Sequence, residues 1–320
     1  MKYAVVTGGA GFIGSHLVRE LVSKGYRTTI LDDLSSGKIE NIEDLLGQPR
    51  KESAIRFVQD SITNLPVLQE LFQGADYVFH LAAIASVPKS VNDPLSSHEV
   101  NLTGTLNVLQ AAKENNIRKV VYISSSAVYG DTPVLPQHEE MMPAPQSPYA
   151  VTKLAGEYYC RVFKEVYDLD TAGLRFFNIY GPRQDPNSEY AAVIPKFIIK
   201  VLEGKAPVIF GTGEQTRDFV FVRDAVNAVI LAAESDAAGI YNIGVGTTIT
   251  IDDLARMVIK VVGKDLEPIY QESRTGDILH SLSDISRART FGYRPRFSLE
   301  EGLEETVRYY SNQVVTQGMF

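Results

Sequence analysis

The sequence predicts an α/β protein built on a doubly wound parallel sheet, with a smaller C-terminal α/β lobe interleaved with it. Three observations predict this. Apolar runs of strand length alternate with amphipathic segments of helical period through the first half of the chain. A glycine cluster, Thr7-Gly8-Gly9-Ala10-Gly11-Phe12-Ile13-Gly14, joins the first run to the first helical pattern. After Phe176 the rhythm loosens, and Gly181-Pro182, Pro186, Pro207, Gly211 and Gly213 cut the chain into shorter pieces.

Taken in order, the runs Tyr3 to Val6, Thr28 to Leu31, Ile55 to Val58, Tyr77 to Leu81 and Val120 to Ile123 read as buried parallel strands. The first helix places Ile13, Leu17, Val18, Leu21 and Val22 on one stripe, and Gly25 is a suitable stop. Ser147 and Pro148 open another helix as N-cap and first residue. Farther on, Asp218 to Val222 and Ile240 to Ile243 read as strands with an apolar helix between them. This division assigns residues 1–176, with about 216–243, to the sheet domain, and 177–215 with 244–320 to the lobe.

Composition narrows the function classes. The chain has 320 residues, which fits about two domains, and a net charge of −8, which exerts no overall pull on nucleic acid. Cys160 is the only cysteine, so neither an intrachain disulfide nor a multi-cysteine metal site is available, and no metal site is expected. The N-terminus runs directly into the glycine cluster without the apolar core of a signal peptide. Ala225 to Ala233 is the longest strongly apolar stretch and is far too short for a bilayer. The expectation is a cytoplasmic protein with no membrane or nucleic-acid partner.

The glycine cluster has the context of a dinucleotide site: a strand before it, a helix after it, and Asp32 18 positions beyond Gly14. Gly8, Gly11, Phe12, Ile13 and Gly14 would let a pyrophosphate approach the backbone and rest on the helix N-terminus. Asp32, ending the second strand, would accept the adenosine ribose hydroxyls and repel a 2′-phosphate, which favours NAD over NADP. The turn after it, Asp33-Leu34-Ser35-Ser36-Gly37, is counted with the cofactor site. Asp60-Ser61 follows the third strand, and Leu81, Ala82, Ala83 and Ala85 follow the fourth, where small side chains let a dinucleotide lie close. The sheet is therefore expected to be of Rossmann type.

Tyr149 and Lys153 stand four apart and fall on one helix face. A phenol with a pKa near 10 is a poor base at neutral pH, but an ammonium one turn away and an oxidised nicotinamide favour the phenolate. Ser124-Ser125-Ser126 end the fifth strand, at the sheet edge where α/β ligands bind.

Together these segments resemble the extended short-chain dehydrogenase/reductase family over essentially the whole chain. Within it they resemble the NAD-dependent UDP-hexose 4-epimerases, through Ser124 to Gly130, Ser147 to Lys153, Leu174 to Gly181, Thr216 to Val222 and Arg274 to Asp277. The resemblance implies that Ser125, four before Tyr129, joins Tyr149 and Lys153 in catalysis, with Ser124 and Ser126 assisting. It implies that Asn101 props the site and that Phe177 borders the nicotinamide. It assigns Arg217 and Arg274 to the substrate diphosphate, a role suited to forked donors, with Asn178 at the diphosphate end. Ala192-Val193 and Val208 to Phe210 would flank uridine, and Asp277 belongs to the same substrate set. A homodimer is implied, with the helices His98 to Glu114 and Tyr149 to Tyr167 paired across a two-fold.

The rivals on the same fold are nucleotide-sugar 4,6-dehydratases, decarboxylases and UDP-glucuronate epimerases. A dehydratase needs an acid pair after its active-site threonine, and a decarboxylase of this type places Glu before Val-Tyr-Gly. Here Ser126 and Ala127 occupy those positions. A net reductase, and a dinucleotide sensor without turnover, stay open beside them, although the sensor would not need Ser125, Tyr149 and Lys153. Ser281, three before Asp284, resembles the wall residue beside the sugar C2 substituent, where a small side chain leaves room for N-acetyl. Pro182 to Pro186 and Tyr190 to Pro195 also resemble the UDP-N-acetylglucosamine 4-epimerase branch.

Overall fold

A computed structural model describes residues 1–46, 55–186, 192–273 and 279–316. The strands are β1 (Tyr3–Thr7), β2 (Arg27–Leu31), β3 (Ile55–Val58), β4 (Tyr77–His80), β5 (Lys119–Ser125) and β6 (Thr171–Phe176), then β7 (Ile179–Tyr180), β8 (Val208–Phe210), β9 (Thr216–Arg217), β10 (Val220–Phe221), β11 (Gly239–Ile243), β12 (Ile249–Thr250) and β13 (Ile269–Gln271). The helices are α1 (Phe12–Ser23), α2 (Glu43–Leu46), α3 (Leu65–Leu71), α4 (Val87–Asn92), α5 (Pro94–His98) and α6 (Gly104–Glu114), then α7 (Pro148–Tyr167), α8 (Val193–Leu202), α9 (Val222–Glu234), α10 (Ile251–Val262), α11 (Ser286–Arg289) and α12 (Leu299–Thr316).

Seven strands form one parallel sheet in the order β11-β6-β5-β4-β1-β2-β3. The order reverses between β1 and β4, so a crevice opens above the C-terminal ends of those two strands. The runs read as buried strands are buried because helices cover both faces, except at the sheet edge, where β3 is only partly covered and Arg56 is exposed. Two apolar layers result, one holding Leu17, Phe79 and Val229 and the other Val5, Val78 and Val120. Gly25, with φ +80°, lies just past α1, where a left-handed residue ends a helix most readily.

The expected strand Asp218 to Val222 is a correction. The chain instead makes two short strands in separate sheets, β9 beside β12 and β10 beside β7, and Val222 already begins α9. The cause is Asp218, fully buried, whose carboxylate accepts the N–H groups of Val245 (2.8 Å), Gly246 (3.1 Å) and Ser283 (3.2 Å) and so takes this stretch off a ladder. The expected helix His98 to Glu114 is also interrupted, because Glu99–Thr103 winds as a π-turn between α5 and α6. Such bulges often accompany functional residues.

Candidate active site

The crevice holds an open cavity of about 480 Å³ lined from every central strand end. Gly8, Gly11, Phe12, Ile13 and Gly14 form its floor after β1. Gly8 has φ +71°, and a Cβ there would meet the Ala82 backbone nitrogen at 2.7 Å. At Gly14 a Cβ would lie 2.0 Å from the Gly8 carbonyl oxygen, so the turn closes only with glycine. Gly11 caps α1 without a side chain, leaving the first-turn N–H groups for an anion. These features fit a dinucleotide pyrophosphate.

Asp32, Asp33, Ser35, Ser36, Asp60 and Ser61 line the far end of the cavity after β2 and β3. The Asp32 carboxylate accepts the Ala10 and Leu34 N–H groups, both at 2.9 Å. Burial pushes its pKa up, and the bonds from Leu34 and Ala10 pull it back. Leu34 and Gly37 lie behind this lining, next to the Asp32 carboxylate. Leu34, at φ +60°, turns its N–H onto Asp32 and packs its side chain on the core. Gly37 passes so close that a Cβ would lie 2.6 Å from Asp32 Oδ1.

Leu81, Ala82, Ala83, Ile84 and Ala85 form the wall after β4. Asn101 stands behind this wall rather than on its lining. It is buried in the π-turn, where its Oδ1 accepts the Ile84 N–H (2.7 Å) and its Nδ2 donates to Ile84 O and Thr152 Oγ1, each at 3.2 Å. Thr152 in turn donates to Tyr149 O at 2.8 Å. Asn101 thus ties the cofactor wall to the helix that carries Tyr149.

Ser125, Ser126, Tyr149, Lys153 and Phe177 come together at the opposite end of the cavity. The Ser147 hydroxyl caps α7 at the Ala150 N–H (3.2 Å), and Ser90 Oγ accepts the Tyr149 N–H (3.0 Å), fixing the start of that helix. Burial raises the Tyr149 phenol, and its hydrogen bond with Ser125 lowers it. Lys153 Nζ lies 5.9 Å from the Tyr149 ring centre and donates to Ile123 O at 2.7 Å. Burial brings the Lys153 pKa down to about 8, while the Glu157 carboxylate opposes that shift.

The sequence reading missed three supporting residues. Glu157 continues the Tyr149–Lys153 face by one more turn, a spacing that could have exposed it. It accepts the Ser124 hydroxyl and forms a buried pair with Arg175, at 2.9 Å from Nε and 2.7 Å from Nη2. The Ser124 hydroxyl is therefore directed to Glu157. His80, buried and held near pKa 3 by desolvation, bridges Thr7 Oγ1 (2.8 Å) and Thr105 Oγ1 (2.9 Å). No sequence pattern marks that contact.

A second cavity of about 270 Å³ adjoins the first, and Asn178 and Ile179 line both. Ala192, Val193, Val208, Phe210 and Arg217 all face it. Asn178 Nδ2 donates to Asp218 O at 2.9 Å, and Arg217 Nη1 donates to Thr216 O at 2.9 Å and Leu279 O at 3.2 Å. Ser281 is buried, donates its N–H to Thr216 O (3.1 Å), and lies on the lining of neither cavity. Arg274 and Asp277 lie outside the described residues, as do Tyr190 and Ala191.

Comparison with known proteins gives a consistent picture. The NAD dependent epimerase/dehydratase family matches residues 4–244. A UDP-glucose 4-epimerase of Mycolicibacterium smegmatis is 40% identical over 97% of this chain and 98% of its own. The solved UDP-N-acetylglucosamine 4-epimerase of Methanobrevibacter ruminantium, in complex with UDP-N-acetylmuramic acid, is 46% identical, with a TM-score of 0.93 over 98% of this chain and 99% of that one. The UDP-glucose 4-epimerase of Thermotoga maritima, solved with UDP-glucose, is 38% identical, with a TM-score of 0.91 over the same shares.

Proposed function

The chain belongs to the NAD dependent epimerase/dehydratase family, and from that premise we propose that it inverts C4 of a UDP-sugar through a 4-keto intermediate. The observation that carries this reading is the junction of the two cavities at Asn178 and Ile179. One chamber ends at Tyr149, Ser125 and Lys153, and the other presents Arg217 and apolar walls. A substrate with a sugar at one end and a nucleotide diphosphate at the other matches that pair.

NAD, when bound along the glycine turn and Asp32, supplies hydride acceptance and return at the sugar carbon. The work of the chain's own residues follows from their positions. Tyr149 takes the proton of the 4-hydroxyl, with Ser125 holding or relaying it, and gives it back after inversion. Lys153 keeps a positive charge beside the phenol, and Ile123 O together with Glu157 holds that charge in place. Asn178 and Arg217 anchor the diphosphate end, leaving the sugar free to turn over between the two transfers. Arg274 and Asp277 belong with that anchor on the family resemblance.

Dehydration and decarboxylation call for an acid beside Tyr149. The carboxylates among the described lining residues of the first cavity are Asp32, Asp33 and Asp60, all at the ends of β2 and β3, and Glu157 is committed to Arg175 and Ser124. We assign UDP-N-acetylglucosamine and its C4 epimer as accepted substrates, beside UDP-glucose and UDP-galactose, from the likeness to the Methanobrevibacter enzyme, with Ser281 placed beside the sugar C2 substituent by the family resemblance. Incubation with UDP-N-acetylglucosamine and product identification by NMR tests this. UDP-N-acetylgalactosamine supports it, and turnover of UDP-glucose alone contradicts it.

The same reading keeps the sheet domain at 1–176 with about 216–243 and the substrate lobe at 177–215 with 244–320. We also propose a homodimer. Val151, Tyr158, Val162 and Val166 form an exposed stripe on α7, beside exposed Val87, Val91 and Leu95 on the neighbouring α4 and α5. Light scattering that gives a monomer mass would overturn it. Among the described residues no helix is long and apolar enough to cross a membrane. We place the enzyme in the cytoplasm, in keeping with a buried, free Cys160.

A further inference from the structure

A third cavity, open and about 710 Å³, lies away from the catalytic pair, between α1, the Pro182–Arg183 turn, α9 and α12. Its charged lining is unusual: Arg19, Arg183, Arg223, Arg296 and Arg308 face it, against the carboxylates Glu20, Asp224 and Glu305. Each carboxylate is already engaged. Glu305 pairs with Arg223 at 2.9 Å, Glu20 with Lys24 at 3.7 Å, and Asp224 accepts the backbone N–H groups of Arg296 (3.0 and 3.1 Å) and Phe297 (3.2 Å). Arg19 is held bidentately by Asp44, at 2.6 Å in both bonds. Among the described residues, the guanidinium groups of Arg183 and Arg308 have no ion-pair or hydrogen-bond partner.

Two further details mark this lining. The buried donors Arg19 Nε and Asn227 Nδ2, both on lining residues, have no hydrogen-bond partner. Arg183 also sits at φ +68°, a left-handed backbone that a non-glycine residue adopts only when its surroundings require it. The lining carries more positive than negative charge, and His16, bonded to Pro182 O at 2.8 Å, is pushed to about pKa 4 chiefly by burial and in smaller part by the charges of Arg183, Arg19 and Arg223.

We propose that this cavity is a second anion site that takes the diphosphate group of a small phosphorylated molecule, separate from the cofactor and substrate cavities. Forked guanidinium groups on four walls suit several phosphate oxygens at once, and a diphosphate matches the lining's excess of positive charge, five arginines over three carboxylates, which one phosphate monoanion would only half compensate. The volume is in the range of small-molecule sites, and the rings of Phe297 and Tyr309 on the lining give room for a nucleoside beside the anion.

Isothermal titration tests this with the holoenzyme saturated with both NAD and UDP, so that the other two phosphate sites are filled. Inorganic pyrophosphate is the first probe and ADP the second. The expected result is one saturable site per chain that weakens as salt is raised, and that loses at least about tenfold in affinity in the double variant Arg183→Gln, Arg308→Gln. Arg308→Gln alone, an exposed change on α12, is expected to weaken binding with unchanged melting temperature and sugar turnover. Tighter binding of ADP than of pyrophosphate supports a nucleoside diphosphate as the ligand, and equal binding supports recognition of the anion alone. Heat only when UDP is omitted, or affinity unchanged in both variants, overturns the proposal.

Discussion

Replacing Lys153 with methionine is expected to stabilise the cofactor-free fold at neutral pH while removing turnover. The side chain is 4% exposed, and burial holds its pKa at about 8 against 10.5 for a free lysine. At about 1.36 kcal/mol per unit, that difference corresponds to about 3 kcal/mol. Between those two values the unfolded chain binds more protons than the folded one, so stability rises with pH across that window. The penalty of the buried charge is therefore fully present below about pH 8. Methionine fills a similar volume, forfeits the bond to Ile123 O, worth about 1–2 kcal/mol, and leaves a net gain of about 1–2 kcal/mol near pH 7. Urea unfolding of both proteins near pH 7 and near pH 10 reads this directly. The variant should lead at the lower pH and lose that lead at the higher one. A gap that does not change with pH would refute the reasoning.

Tyr149→Phe is expected to lose about 10²- to 10⁴-fold in turnover while still binding NAD and UDP, as read by steady-state kinetics and titration. Asp32→Ala should narrow the preference for NAD over NADP, because the carboxylate that faces the ribose and repels a 2′-phosphate is gone. Equal affinity of the wild type for both cofactors would contradict that role. Ser281→Tyr should depress turnover of UDP-N-acetylglucosamine more than that of UDP-glucose, and a parallel fall in both would remove the residue from C2 selection.

The sheet was legible because parallel strands covered on both faces read as apolar runs, and Tyr3 to Val6 and Val120 to Ile123 needed no further signal. The cofactor turn was legible for a steric reason: Gly8 and Gly14 stand where any Cβ would strike backbone. Tyr149 and Lys153 were legible because a helix makes four-residue spacing a shared face. What stayed hidden depends on partners distant in sequence. Asp218 breaks its expected strand through Val245, Gly246 and Ser283, and Asn101 acts through Ile84 and Thr152. Leu34 and Gly37 were marked only by following Asp32, and their shaping of the backbone around its carboxylate was not legible.

The chemistry assigned to Tyr149, Ser125 and Lys153 is tested most directly by following a deuterium placed at C4 of UDP-glucose or UDP-N-acetylglucosamine through turnover in ordinary water. If one sugar carbon gives up and regains the same hydride while Tyr149 handles only the hydroxyl proton, NMR and mass spectrometry will find the C4 epimer with its deuterium still at C4. Loss of the label to solvent, or a product whose C6 hydroxyl or carboxyl has left, would contradict it.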